Sequence, residues 1–207
     1  MSNFDRQKWN AKYQTEPAPR EPSQGLIALD CFLPRSGKAI DLACGAARHG
    51  IWLAQRGLDV TIADISAVGL SLAMERAAER GVSIKPLEID LEHDSFPPGP
   101  WDLILSVCYL QRSMFAAYPT ALAPGGTLVV IQPTKKNLER HAKPPADFLL
   151  DEGELPGLIR SLEVLHYQEA WSADDRHDAV LVARRPVGQA FLPAGQTRVS
   201  APQSGIV

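Results

Sequence analysis

The sequence lacks the charge excess that would draw it to nucleic acid or an anionic membrane: its formal net charge is −3 and its pI about 6.0. No apolar run is long enough to cross a bilayer. Residues Met1 to Asn10 mix Asp5, Arg6 and Lys8 with polar residues, which leaves no room for the apolar stretch of a secretory signal. The three cysteines, Cys31, Cys44 and Cys108, form neither an even-numbered disulfide framework nor a CxxC metal pair, so a reducing cytoplasm is expected and no metal site is. Internal repeats and low-complexity blocks are missing too.

What is present is one domain's worth of chain, 207 residues of which 45% are apolar. Phe4 to Tyr13 is a short amphipathic stretch marked by Phe4, Trp9 and Tyr13, followed by the breaker-rich run from Glu16 to Pro22. Residues 1–22 are therefore expected to form a helical flap on a hinge. Residues 186–207, rich in Pro, Gly, Ser and Gln, are expected to be a disordered tail. Between them, 23–185 alternates β-rich runs with helical patterns.

Strands are predicted at 39–43, 59–63, 83–89, 103–108 and 127–131, with helices at 48–56, 66–80 and 113–122. Ser66 is the expected N-cap of the second helix and Gly81 its stop. Pro119 predicts a kink or a late start in the third. A helix at 154–160 then leads to strands 163–170 and 179–183, joined too closely to be anything but antiparallel. The expected fold is α/β: a Rossmann-like, doubly wound, seven-stranded and mostly parallel sheet with a C-terminal antiparallel hairpin.

In such a sheet ligands bind beyond the carboxyl ends of the strands. Asp41, Asp64 and Asp90 fall at the ends of the first three. The run Asp41-Leu-Ala-Cys-Gly45-Ala-Ala-Arg48 adds small residues that let the backbone approach a ligand. A pyrophosphate at this helix start would be repelled by Asp41, whereas a ligand with an ammonium and a sulfonium would be attracted. Asp64 lies roughly 20 residues beyond Gly45, where a carboxylate meets ribose hydroxyls in either kind of site. The segment Gly45-Ala-Ala-Arg-His-Gly50 does not supply the GxGxxG of a dinucleotide site.

The order Asp41-Leu-Ala-Cys-Gly45, Asp64-Ile-Ser66, Asp90-Leu91, Trp101-Asp-Leu-Ile, and Leu122-Ala-Pro-Gly-Gly126 resembles the class I S-adenosylmethionine (SAM)-dependent methyltransferases over residues 1–185. Ala43 and Ala47 stand where that family usually has glycine. A narrower resemblance, to tellurite-resistance methyltransferases and their thiopurine- or thiol-directed relatives, rests on Trp9 and Tyr13, the stretch Tyr109-Leu-Gln-Arg112, the loop from Pro144 to Leu155, and Arg176-His177.

The resemblance implies SAM as cofactor, held by Trp9, Tyr13, Asp41, Ala43, Gly45, Arg48, Asp64, Ile65, Asp90, Leu91 and Cys108. Packing as small apolar groups is the competing role for Cys44 and Cys108. The expected acceptor is a small soft nucleophile: a tellurite or selenite oxyanion, a thiol or a thiopurine. On that side Tyr109 and Arg112 follow strand four, Arg112 offering a planar fork to an oxyanion. Arg176 and His177 open the last strand on the same rim, with His177 a candidate proton acceptor. The rivals are a SAM-binding sensor without catalysis and an NAD-linked oxidoreductase. The acceptor's identity and the oligomeric state are left open.

Overall fold

Strand order follows from where the apolar runs fall. β1 (Lys38–Leu42) is buried from Ala39 onward and so takes the middle of the sheet, flanked by β2 (Asp59–Asp64) and β4 (Trp101–Val107). β3 (Lys85–Glu88) is short and largely exposed and lies at one edge, where Pro86 is tolerated because a ladder donor is dispensable there. β5 (Leu122–Pro133) pairs with β4 in parallel, and β6 (Glu163–Trp171) and β7 (His177–Arg184) close the other edge as an antiparallel hairpin. The computed structural model describes residues 3–188 and gives the order β3-β2-β1-β4-β5-β7-β6. That is the expected seven-stranded doubly wound sheet. Most of the tail anticipated at 186–207 lies outside the described residues.

The helices are α1 (Asn3–Thr15), α2 (Gln24–Ile27), α3 (Arg48–Gln55), α4 (Ala67–Glu79), α5 (Tyr118–Ala121) and α6 (Leu155–Leu158). Leu26, Leu53, Leu70 and Ala73 of α2, α3 and α4 pack on one face of the sheet with Val60, Ile62, Leu103, Leu105, Val129 and Ile131. The other face, with Ile40, Ile104, Leu128 and Val130, lies under Phe115, Tyr118, Leu150, Leu155 and Ile159. Ser66 caps α4 as predicted, its hydroxyl accepting from Gly69 N at 3.0 Å, and Gly81 ends it with a positive φ.

Several boundaries differ from the sequence-based expectation. The helix predicted at 113–122 is a 3₁₀ turn (Arg112–Ala116) followed by α5, with Pro119 in the first turn, where its missing N–H has no intrahelical partner to lose. Only four residues of strand three find partners on β2. Asp64 is the last residue of β2 rather than the first beyond it.

The N-terminal segment is held differently from a hydrophobic flap. No residue of α1 is buried, and Phe4 is 70% exposed. Polar contacts dock it: Asn10 Oδ1 accepts from the Ser66 hydroxyl at 2.7 Å and from Val68 N at 3.3 Å, and Arg6 pairs with Glu88. The Pro-rich run after it is strapped to α4, not loose, because Arg76 donates to Ala18 O and Pro19 O (2.9 and 3.0 Å) and Arg20 pairs with Glu79. No described helix is long and apolar enough to cross a membrane.

Candidate methyl-donor and acceptor site

The order reverses between β1 and β4, so their carboxyl ends open a crevice. At its floor the chain leaves β1 through three left-handed residues, Ala43 (φ 50°), Gly45 (φ 57°) and Ala47 (φ 52°), before α3 begins. A side chain at Gly45 would collide with the Tyr13 hydroxyl, which α1 brings down onto the turn. The same ring leans on Gly69 at the start of α4. Trp9 is stacked on Tyr13, with centroids 6.2 Å apart, and faces Lys8 and Lys12 on α1 itself.

Two buried carboxylates flank this turn. Asp41 is 1% exposed and accepts from Gly50 N in α3 at 2.8 Å. Burial pushes its pKa up to about 7, opposed by the Gly50 N–H and reinforced by the charge of Asp64. Asp64 takes Gly45 N on one oxygen (2.7 Å) and Ser66 N on the other (2.8 Å), and burial raises its pKa as well. Among the described residues neither carboxylate has a salt-bridge partner. Burial also raises the Tyr13 hydroxyl and the Cys44 thiol, with Asp64 adding to both.

Asp90 starts a turn, accepting from Glu92 N at 3.0 Å and meeting His93 Nδ1 at 3.1 Å. Ile65 and Leu91 beside these aspartates are buried, and Ala43 is half-buried. Arg48 donates to Glu21 O at 3.4 Å in the strapped segment. Cys108, exposed at the end of β4 with φ 56°, has its thiol pKa raised by dense surroundings, against the pull of the Arg176 guanidinium.

The acceptor-side expectations need correction. Arg112 does not present a free fork: Glu154 engages it at 2.5 and 2.8 Å, and Leu149 O takes a further bond at 3.1 Å. The carboxylate lies 42 residues away in sequence, beyond reach of a local reading. Arg176 is likewise held by Asp178, at 2.7 and 2.9 Å from Nε. Strand alternation turns His177 to the opposite sheet face from Asp178. There its Nδ1 lies 2.7 Å from the Thr134 hydroxyl and its ring meets Trp171 edge-on; it is 5% exposed and wedged in a structural network, not on the rim.

Tyr109 follows the end of β4 and packs against the core cluster on that side, and its buried hydroxyl has no hydrogen-bond partner among the described residues. Gln132, which sequence reasoning missed, is 2% exposed; its Nε2 donates to Phe148 O at 2.9 Å while its Oε1 is unpartnered. Its signal was a glutamine directly after the apolar run Leu128 to Ile131.

Residues 39–126 match the methyltransferase-domain family. That match runs from β1 into the start of β5 and supports a class I SAM-dependent methyltransferase domain. Relatives include demethylmenaquinone methyltransferase of Thermus thermophilus, 35% identical over 51% of this chain and 51% of that one. Ribosomal RNA small subunit methyltransferase C of Alcanivorax borkumensis is 31% identical over 48% of this chain and 33% of its own length. The chain thus spans about half or less of the length of these relatives. Among solved structures, TehB from Haemophilus influenzae superposes with a TM-score of 0.65 at 20% identity, covering 87% of this chain and 66% of that one. A SAM-dependent methyltransferase from Mesorhizobium loti gives 0.64 at 21%, covering 79% and 98%. These likenesses establish the methyltransferase fold.

The residues of the domain fit SAM. The small-residue turn, covered by Tyr13, lies beside two buried carboxylates of raised pKa, a setting that favours a cationic ligand.

Proposed function

We propose that the protein moves the methyl group of SAM to a small soft nucleophile, a sulfur, selenium or tellurium compound, in the cytoplasm. The observation that carries the reading is the pair Asp41 and Asp64, buried on either side of the Gly45 turn without a salt-bridge partner among the described residues. SAM supplies a methyl group on a positively charged sulfur, to which the bond electrons return when an acceptor lone pair takes the carbon.

The protein's share is placement and exclusion of water, which can contribute roughly 7–11 kcal/mol to such a step. Asp64 and Asp90 would hold the ribose and adenine ends, Asp41 would attract the ammonium and sulfonium charge, and Arg48 would face the carboxylate. Tyr13 and α1 roof the turn. Cys108 borders the methyl position from β4. A soft acceptor needs no strong base, which agrees with His177 being committed elsewhere. The net charge of −3 favours a small molecule over a nucleic acid as partner.

The test is a labelled-SAM assay with thiols, thiopurines, selenite and tellurite, beside calorimetry with SAM and S-adenosylhomocysteine. Binding of both with transfer to at least one acceptor is expected, and Asp64→Asn should weaken binding. Binding without transfer to any would favour the sensor reading. Nicotinamide dinucleotide binding in place of SAM would end the proposal.

A further inference from the structure

Two buried polar atoms are left without partners on one face of the sheet. Gln132, whose Oε1 is the first, is the penultimate residue of β5, following Leu128 and Val130 on the side covered by Leu150 and Leu155. Tyr109, whose hydroxyl is the second, follows β4 and packs against the same cluster. The two strands are neighbours here, with Cys108 N bonded to Ile131 O at 2.8 Å. The Gln132 amide has a defined orientation, because Phe148 O can only accept and therefore fixes Nε2. A buried acceptor without a donor costs free energy, and a fold keeps one where a ligand supplies the donor.

We infer that this face is the acceptor subsite, and that it takes a small neutral thiol-class nucleophile carrying an N–H or O–H group. Gln132 Oε1 accepts from that group, and the Tyr109 hydroxyl bonds a second polar atom. The inference rests on the methyltransferase reading and narrows it. Position separates Gln132 from the donor: Asp41 lies in β1, Asp64 ends β2 and Asp90 follows β3, whereas Gln132 lies two strands past β1 in the other direction, with Tyr109 between them and within the field of Asp64 and Asp90. Charge selects against an oxyanion. Arg112 is held by Glu154, Lys135 by Asp151 at 2.7 Å, and the unpartnered amide oxygen repels an anion. Phe148, whose carbonyl holds the amide nitrogen, is 56% exposed and offers apolar surface on the same loop.

The full chain saturated with S-adenosylhomocysteine is titrated by calorimetry with thiophenol, 4-mercaptophenol, 2-aminothiophenol, 6-mercaptopurine and tellurite. At least one donor-bearing thiol should bind tenfold or more tightly than thiophenol. Gln132→Met should erase that preference, and Tyr109→Phe should reduce it without lowering the melting temperature, since its hydroxyl bonds nothing in the free protein. Tighter binding of tellurite, equal binding of all thiols, binding of none, or a preference surviving in both variants overturns the subsite; the last result would assign both atoms to buried water. If Gln132→Met does not fold, Tyr109→Phe alone decides. Failure to bind S-adenosylhomocysteine would instead sink the methyltransferase reading.

Discussion

The proposed donor half of the site, at the ends of β1 to β3, and the proposed acceptor half, at the ends of β4 and β5 and the start of β7, are built by different means. In the donor half buried side chains grip main chain: Asp64 bonds Gly45 N and Ser66 N, and Asp41 bonds Gly50 N. In the acceptor half charged side chains grip one another or loop carbonyls, as Arg112 does Glu154 and Arg176 does Asp178. The first arrangement leaves carboxylates unneutralised and poised for a cation. The second uses its charges to fold loops, so that neutral groups remain to meet the acceptor.

The sharpest way to break this contrast is at Gly45. An alanine there suffers a left-handed penalty of about 1–2 kcal/mol and a collision with Tyr13 worth about 1–3 kcal/mol. Gly45→Ala should lower the melting temperature by roughly 5–15 °C for a chain of this size. In a Tyr13→Ala background the same change should cost only the backbone share. Equal losses in both backgrounds would show that α1 does not rest on the turn.

The second prediction concerns pH. Asp41 has a folded pKa of about 7, above its ordinary 3.8, so the fold favours its neutral form. The associated stability is fully present below about pH 4 and is lost as pH rises toward 7. The melting temperature of Asp41→Asn relative to the parent should therefore climb between pH 4 and 7 and level off above. Affinity for SAM should run the other way, since the cation needs the carboxylate: it should fall in the parent protein from pH 7 to 5, and be weaker and flatter in the variant. A pH-independent difference between the two proteins would remove Asp41 from the electrostatics of the site.

These two halves were not equally legible. Asp41, Gly45 and Asp64 act within single strand-to-helix turns, where residue type and spacing set the geometry. Arg112 looked free because its partner arrives from a loop 42 residues on, and His177 looked rim-facing because strand position was known but not which face its side chain took. The seven-stranded order followed from alternation and the short last connection. The polar docking of α1 did not, because Asn10 and Arg6 find partners on α4 and β3 that no helical periodicity reveals.

A smaller effect sharpens the acceptor side. Arg112→Ala and Glu154→Ala should each cost under about 1 kcal/mol, the pair being partly exposed, and the double variant should cost scarcely more than either. Affinity for S-adenosylhomocysteine should be unchanged in all three, while acceptor KM rises as the 147–154 loop loosens. Additive losses would mean that the bond from Arg112 to Leu149 O, not its pairing with Glu154, is what holds the loop.

The smallest effect separates two alanines that share a strained backbone. Ala43 and Ala47 both sit near φ 50°, where glycine relieves about 1–2 kcal/mol of strain but loses about 0.4–1 kcal/mol to the greater freedom of the unfolded chain. Ala43 is half-buried, so its methyl gives up little packing and Ala43→Gly should raise the melting temperature by roughly 1–3 °C. Ala47 is fully buried against the α3 and α4 side of the sheet, where a methyl is worth about 0.8 kcal/mol, so Ala47→Gly should come out near neutral. A gain at Ala47 matching that at Ala43 would mean that strain, not packing, governs both positions. A loss at Ala43 would mean that its methyl supports the turn more than its left-handed backbone strains it.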